Sequence, residues 1–418
     1  MTSRSRFLSA LLIFAASGIA SDAFAADLHV PADHATIQAA VNAAQPGDHI
    51  LVAGGVYTES ISLLGKSIEL RPSVQGAEVI LRAPPNQRAL LFVSGESSSC
   101  VVRGLRLVGS LPAGTYGGGI LVQGSAPRID GCVLDGITWN ASLGTWGGAV
   151  DISSGSPSFV DCLFQNNHAV QADGGAVVVQ GGTPNLTGCT FRSNGISPAT
   201  QGADIFIVSV VSAAATIDNS RFEGTSGGGF GARIYNYGQG GGAARVTLRD
   251  CLFTGIVQQA ISLVHGWDTV SMERVRFEHC AISGYPEFGG PGTLVTQSRS
   301  PLTVTSCEFV DNTANILLAI DPVQGGIALV QGTAFCGNNP LGPDFGPTVV
   351  DLGGNEVRAS CCAGDVTNNG VVNGTDLAAV LAAWGSDGSN KFDCDIDNDG
   401  VVGGGDLAFV LAGWGACP

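Results

Sequence analysis

Four aspartates fall within the twelve residues "DIDNDGVVGGGD", at Asp395, Asp397, Asp399 and Asp406. Carboxylates this close repel one another, and a hard divalent cation is the simplest agent that holds them together. The spacing is that of a calcium loop. Oxygen donors are needed at loop positions one, three, five, seven, nine and twelve, with glycine at six for the sharp turn. Here these are Asp395, Asp397, Asp399, the Val401 carbonyl, Gly403 through a water, and Asp406, with Gly400 at the turn. An offset of 30 residues superposes this stretch on "DVTNNGVVNGTD". That copy offers Asp365, Thr367, Asn369, the Val371 carbonyl, Asn373 and Asp376, with Gly370 at the turn. Ca2+ is the predicted cofactor of both loops.

Each loop runs into a short helix. Leu377, Val380 and Leu381, and their copies Leu407, Val410 and Leu411, recur at helical spacing and predict one buried face per helix. Trp384 and Trp414 repeat in register, and Gly385 and Gly415 stand where a helix C-terminus is expected. Cys361, Cys362, Cys394 and Cys417 flank the pair, an even number that suits a disulfide clasp of undecided connectivity.

A second set of reactive side chains lies mid-chain: Asp204, Phe206, Arg233, Tyr235 and Tyr237. If Val150/Ile152, Val177/Val179, Ile205/Ile207 and Ile261/Leu263 point inward on successive strands, alternation sends these five to one outer face. Rings that stack on a sugar, beside charged groups that bond its hydroxyls, make a saccharide groove. The plainer alternative is a surface ion pair beside cross-strand aromatics. Nearby, "VHGWD" adds His265, Gly266 and Asp268, while Trp139, Trp146 and Trp267 read as exposed or half-exposed aromatics.

These residues need a scaffold, and the middle of the chain is a repeat. Stretches such as "GGAVDISSGSPSFVDCLF" and "GGAVVVQGGTPNLTGCTF" share a short strand, a polar turn, a second strand and Cys-x-Phe. Large apolar residues recur at Leu107, Leu134, Phe164, Phe191, Phe222, Phe253, Phe277, Phe309 and Phe335, 24 to 32 residues apart. Two residues before each comes Leu105, Cys132, Cys162, Cys189, Ser220, Cys251, Val275, Cys307 or Thr333. Such a period, with short strands and Gly, Asn or Asp turns, predicts an all-β stacked solenoid with interior Phe and Cys ladders. The thiols are small buried fillers, since no Cys-x-x-Cys or His partner accompanies them. Ala35–Ala44 predicts a short amphipathic capping helix with Ile37, Ala40 and Val41 on one face, after which Ile50, Val52 and Val56 open the first coil.

Composition agrees with export and with β-structure. Residues 1–25 carry Arg4 and Arg6, an apolar run from Phe7 to Ala16, and small residues at Ala23 and Ala25, the layout of a signal peptide. That run is too short to span a membrane. Removing the segment takes the formal charge from −16 to −17, which argues against nucleic acid and anionic membranes as partners. The same charge counts mildly against polyanionic polysaccharides unless calcium bridges the two. The predicted organisation is residues 1–25 signal peptide, 26–354 solenoid and 355–418 calcium module.

Two resemblances sharpen this reading. "IQAAV", "PGD" and the coil pattern are similar to right-handed parallel β-helix proteins of the pectate-lyase-like superfamily, over about residues 28 to 345. That fold hosts lyases, hydrolases, adhesins and inert scaffolds. The residues for hydrolysis in the polygalacturonase manner are out of order, with Arg233 before His265, and the clustered aspartates of that pattern are missing. The tandem loop-helix pair at residues 364–415 resembles a dockerin domain, with Asp at loop position twelve and no entering helix. The resemblance implies attachment to a cohesin-bearing scaffold or surface. The usual partner-reading positions ten and eleven are, however, Gly374–Thr375 and Gly404–Gly405. The function implied is an exported β-helix protein that binds or processes polysaccharide, a lyase or glycoside hydrolase if an enzyme, attached through its calcium module. The alternative is a non-catalytic cell-surface or adhesion scaffold.

Overall fold

The computed structural model describes residues 25–111, 119–196, 204–208, 213–224, 233–237, 244–257, 259–263, 269–282, 293–297, 301–314, 316–320, 326–343, 345–358, 362, 364–367, 369, 371–386, 394–397 and 399–416. The expected signal peptide therefore lies almost wholly outside the described residues, as do His265, Gly266, Trp267 and Asp268. Strands of a few residues stack with parallel pairing into sheets A, B and C, of 13, 12 and 10 strands. A fourth sheet, D, has four strands.

One coil shows how the sequence makes the turn. Val150–Ile152 lies in sheet C, Ser158–Val160 in A, Leu163–Gln165 in B and His168–Asp173 in D. Between C and A the chain passes through Gly155, where a Cβ would stand 2.1 Å from the Ser125 carbonyl of the coil below, so only glycine fits. Between A and B a single residue turns the corner in the left-handed region: Asp161 here, Asn219 and Asp250 in later coils. These are the side chains that tolerate that backbone best after glycine.

The ladders occupy the interior as expected. Rings of Phe164, Phe191, Phe222, Phe253, Phe277, Phe309 and Phe335 stack in sequence with centroids 4.4 to 4.9 Å apart. The thiols of Cys132, Cys162, Cys189, Cys251 and Cys307 are free and buried, and burial pushes that of Cys251 up to about 12. Ser220 and Thr333 fit the same column because their hydroxyls accept from the Cys189 and Cys307 amides. A further column escaped the sequence reading. Asn167, Asn194, Asn312 and Asn338 sit fully inside, three residues after each Phe. Asn167 donates to the Leu134 carbonyl while the Asn194 side chain accepts from the Asn167 backbone, so each asparagine closes the B corner of its neighbour.

Helix α1, Ile37–Ala43, caps the first coil and buries Ile37, Ala40 and Val41, with the Thr36 hydroxyl accepting from Ala39. Val56 is exposed rather than part of that core. At the far end, strand Glu356–Arg358 still pairs in sheet B, so the solenoid runs past residue 354. Trp139 and Trp146 lie on the sheet-D strand Thr138–Trp146.

Beyond it, helices α2, Gly374–Ala382, and α3, Gly404–Ala412, form a pseudo-symmetric pair around Val366, Val372, Val380, Cys394, Val402 and Val410. Each half reaches across to the other. Val372 pairs with Gly415, and at the equivalent place Gly385 donates to Val402. Two expectations are corrected here. Leu381 and Leu411 are more than half exposed, because Val380 and Val410 are the residues that the helices turn into the core, with Leu377 packed beside them. Cys394 is buried in the module's core, whereas Cys362 is disulfide-bonded, as is Cys336 of the solenoid, which was not among the four cysteines expected to form the clasp. Cys361 and Cys417 lie outside the described residues.

Candidate metal centre

The second loop gathers its acids before any helix forms. Asp395, Asp397 and Asp399 place one carboxylate oxygen each within 4.8 Å of one another. Asp395 is buried, and its Oδ2 accepts from the Gly400 amide at 3.1 Å, while its Oδ1 is buried with no partner at all. An orphaned acceptor oxygen facing two more carboxylates is a place for a cation, since an unpartnered buried polar group is costly. Burial pushes the Asp395 carboxyl up, and the charges of Asp406, Asp399 and Asp397 push it further against the Gly400 hydrogen bond. The donor set is all hard oxygen, which suits calcium rather than a thiolate- or imidazole-seeking metal.

Asp406, at loop position twelve, joins loop to helix. Its Oδ2 accepts from Gly403 at 2.6 Å, capping α3, and its Oδ1 accepts from Ile396 at 2.5 Å and Asp397 at 3.2 Å. Gly405 earns its place sterically, since a Cβ there would lie 1.8 Å from the Asp397 carboxylate. In the first loop the short Thr367 stands at the Asp397 position and leaves room for Thr375, whose hydroxyl is 3.4 Å away.

The first loop is built alike but tied up in its own hydrogen bonds. Asp376 accepts from Asn373 at 2.8 Å, and its other oxygen accepts from the Thr367 amide at 2.9 Å and hydroxyl at 2.6 Å. Burial alone would raise this carboxyl, but those bonds together hold it below its ordinary value. Asp365 accepts from Asn369, Asn369 donates to Thr367, and Asn373 donates to the Val371 carbonyl. The residues fit a cation here as well, but several donors must first release one another. Gly370 lies outside the described residues.

The mid-chain set is placed differently from its expectation. Asp204, Phe206 and Arg233 are buried, so they do not line an open face. Arg233 Nε approaches Asp204 Oδ2 at 2.6 Å without hydrogen-bond direction, leaving both atoms formally unsatisfied, while Asn194 donates to the other Asp204 oxygen at 2.9 Å. Arg233 also donates to the carbonyls of Asn194 and Glu223, which fixes it at the corner from B toward C. Burial raises the Asp204 carboxyl to about 6, opposed by Arg233 and Asn194. Tyr235 and Tyr237 stand in strand register with Phe206 and Val208. A second pair, missed from sequence, lies on sheet C: Asp151 faces Arg88 at 3.6 Å and accepts from Gln180 at 2.8 Å. Only register could have found it, because Arg88 comes from a coil two strands away in the sheet.

Residues 90–273 match the family model of the right handed beta helix region, and residues 363–412 match that of the dockerin type I domain. No curated protein matches the chain. No helix among the described residues is long and apolar enough to cross a membrane. The chain is thus a right-handed parallel β-helix followed by a dockerin type I domain.

Proposed function

We propose that this is an exported protein whose β-helix binds or processes polysaccharide and whose dockerin module, organised by calcium, attaches it to a cohesin-type partner. The observation that carries the reading is the duplicated loop pair with its orphaned Asp395 oxygen among three carboxylates. Dockerin type I domains bind calcium and cohesin partners, and the family match supports both for residues 363–412. With Gly404–Gly405 at loop positions ten and eleven, the second loop offers no side chain there to a partner. Exposed Leu381, Trp384, Phe409, Leu411 and Trp414 supply an apolar surface instead, repeated by the pseudo-symmetry of α2 and α3. When bound, calcium cross-links the loop oxygens. The chain's own part is to hold those oxygens with Asp376 and Asp406, which also cap the helices that carry this surface.

The test is capture of the full chain on an array of immobilised cohesin modules and polysaccharides, in calcium and in chelator. Calcium-dependent capture by a cohesin, with retention on a polysaccharide, is expected. Capture by neither would overturn the reading. A non-catalytic scaffold is the second reading, favoured by one observation: Asp151 and Asp204 are buried against Arg88 and Arg233 rather than presented as a free acid pair. New reducing or unsaturated ends released from a retained polysaccharide would exclude it.

A further inference from the structure

The solenoid begins at an edge where an export signal would be cut. Strand Asp27–Val30 is the outermost strand of sheet A and pairs with His49–Val52. Just ahead of it, Ala25 and Ala26 are exposed and belong to no strand. They close the stretch "AFAA", in which Ala23 and Ala25 are the small residues that a signal endopeptidase reads. Opposite Ala26, one step beyond the Asp27–His49 pair, stands Asp48 of the "PGD" turn, only 7% exposed.

Asp48 holds two backbone nitrogens. Its Oδ2 accepts from the Gln45 amide at 2.7 Å and its Oδ1 from the Ala26 nitrogen at 2.8 Å, while the Ala26 carbonyl accepts from His49 at 2.8 Å. The bonds from Gln45 and Ala26 lower the Asp48 carboxyl against burial, helped by the charges of His49 and Lys66, so it is ionised at neutral pH. The other charges nearby are engaged elsewhere. Asp27 and Glu69 face His49 at 3.1 and 3.7 Å, and Glu69 also meets Arg71 and Arg103. Lys66 donates to the carbonyls of Val41, Asn42 and Ala44 at the end of α1. An amide N–H at Ala26 gives Asp48 one ordinary hydrogen bond. An ammonium on the same atom gives a charge-assisted one, roughly twice as strong.

We propose that hydrolysis of the Ala25–Ala26 bond creates the N-terminus of the working protein, and that Asp48 then holds the new Ala26 ammonium and pins the first strand of sheet A. Water adds across the amide: the C–N bond breaks, a C–O bond forms and Ala25 leaves as a carboxylate. The Ala26 nitrogen takes both protons of the water and becomes an ammonium. The hydrolase is a signal endopeptidase of the exporting cell. The inference rests on the export reading above and adds the residue that receives the cut end. A cut one residue earlier would carry the charge about 3.8 Å further along the chain, out of reach of Asp48.

The experiment is production of the full chain in an exporting host, with N-terminal sequencing of the protein recovered outside the cells. A chain beginning at Ala26 is expected. Its terminal amine is then acylated at neutral pH beside a free peptide of residues 26–29, and the products are located by mass spectrometry. Only Lys66 and Lys391 compete as side-chain amines. A terminal amine ordinarily titrates at about 7.7–8.0 and a paired carboxylate raises that value, so the protein amine should react at least about tenfold more slowly than the peptide's. Asp48→Asn should recover most of that factor, whereas Asp27→Asn should recover little. If Asp48→Asn does not fold, the pH profile of acylation in the unaltered chain decides. Pairing puts its midpoint about one unit above the peptide's, whereas burial without pairing puts it at or below the peptide's. An exported chain that starts elsewhere, an Ala26 amine that reacts as the peptide does, or slow acylation that Asp48→Asn leaves unchanged would overturn the inference and leave the export reading intact. A chain retained inside the cells would count against both.

Discussion

Asp395 and Asp365 occupy the same loop position, yet their surroundings differ in charge. The second loop holds Asp397 and Asp399 where the first holds Thr367 and Asn369, and its Asp395 Oδ1 is left without a partner. The second loop is therefore expected to bind calcium more tightly than the first. Isothermal titration should resolve two unequal sites, with Asp395→Ala weakening the tighter one by at least about tenfold and Asp365→Ala the weaker. At the buried Asp204 the logic is pairing. Arg233→Met leaves Asp204 as a lone buried carboxylate and should cost about 3–5 kcal/mol at neutral pH. A carboxyl raised above its unfolded value costs stability where it is ionised, and that cost fades as pH falls through about 6. Denaturant melts should therefore show a smaller loss for Arg233→Met at pH 5 than at pH 7.5. A loss that grows on acidification would contradict the assignment.

The helices and ladders were legible in the sequence to different depths. The Phe and Cys columns announce themselves because a stacked coil repeats its interior residue at every turn, and burial selects for type as well as position. The Asn column did not, because asparagine at a turn reads as a turn former, and its ladder exists only once coils are stacked. Leu381 and Leu411 misled for a related reason. Helical periodicity identifies an apolar stripe but not its width, and in the two nine-residue helices Val380 and Val410 are the apolar residues that are fully buried. Two outcomes follow at this scale. Phe222→Ala, in the middle of the stacked rings, should cost about 3–5 kcal/mol by chemical denaturation. Leu381→Ala with Leu411→Ala should leave calcium affinity unchanged and weaken partner capture. Weakened calcium binding in that double variant would place those side chains in the module's core after all.

For the molecule as a whole, the sequence carried the architecture because both parts are repeats, and a repeat states its unit several times over. The mid-chain groove was less legible, since its argument hung on alternation along one strand. Alternation says which way a side chain points, not what covers it, and Asp204, Phe206 and Arg233 point into cover. The two parts also depend on different forces. The β-helix rests on buried ladders and parallel pairing, and the dockerin module on a core of six buried residues and two acidic loops. Calcium should therefore act on one part alone. The most direct measurement is hydrogen exchange of the full chain with and without calcium. Amides of residues 365–376 and 395–406 should gain protection on calcium binding while those of the solenoid strands stay unchanged. Exchange in both loops that is indifferent to calcium would contradict the account.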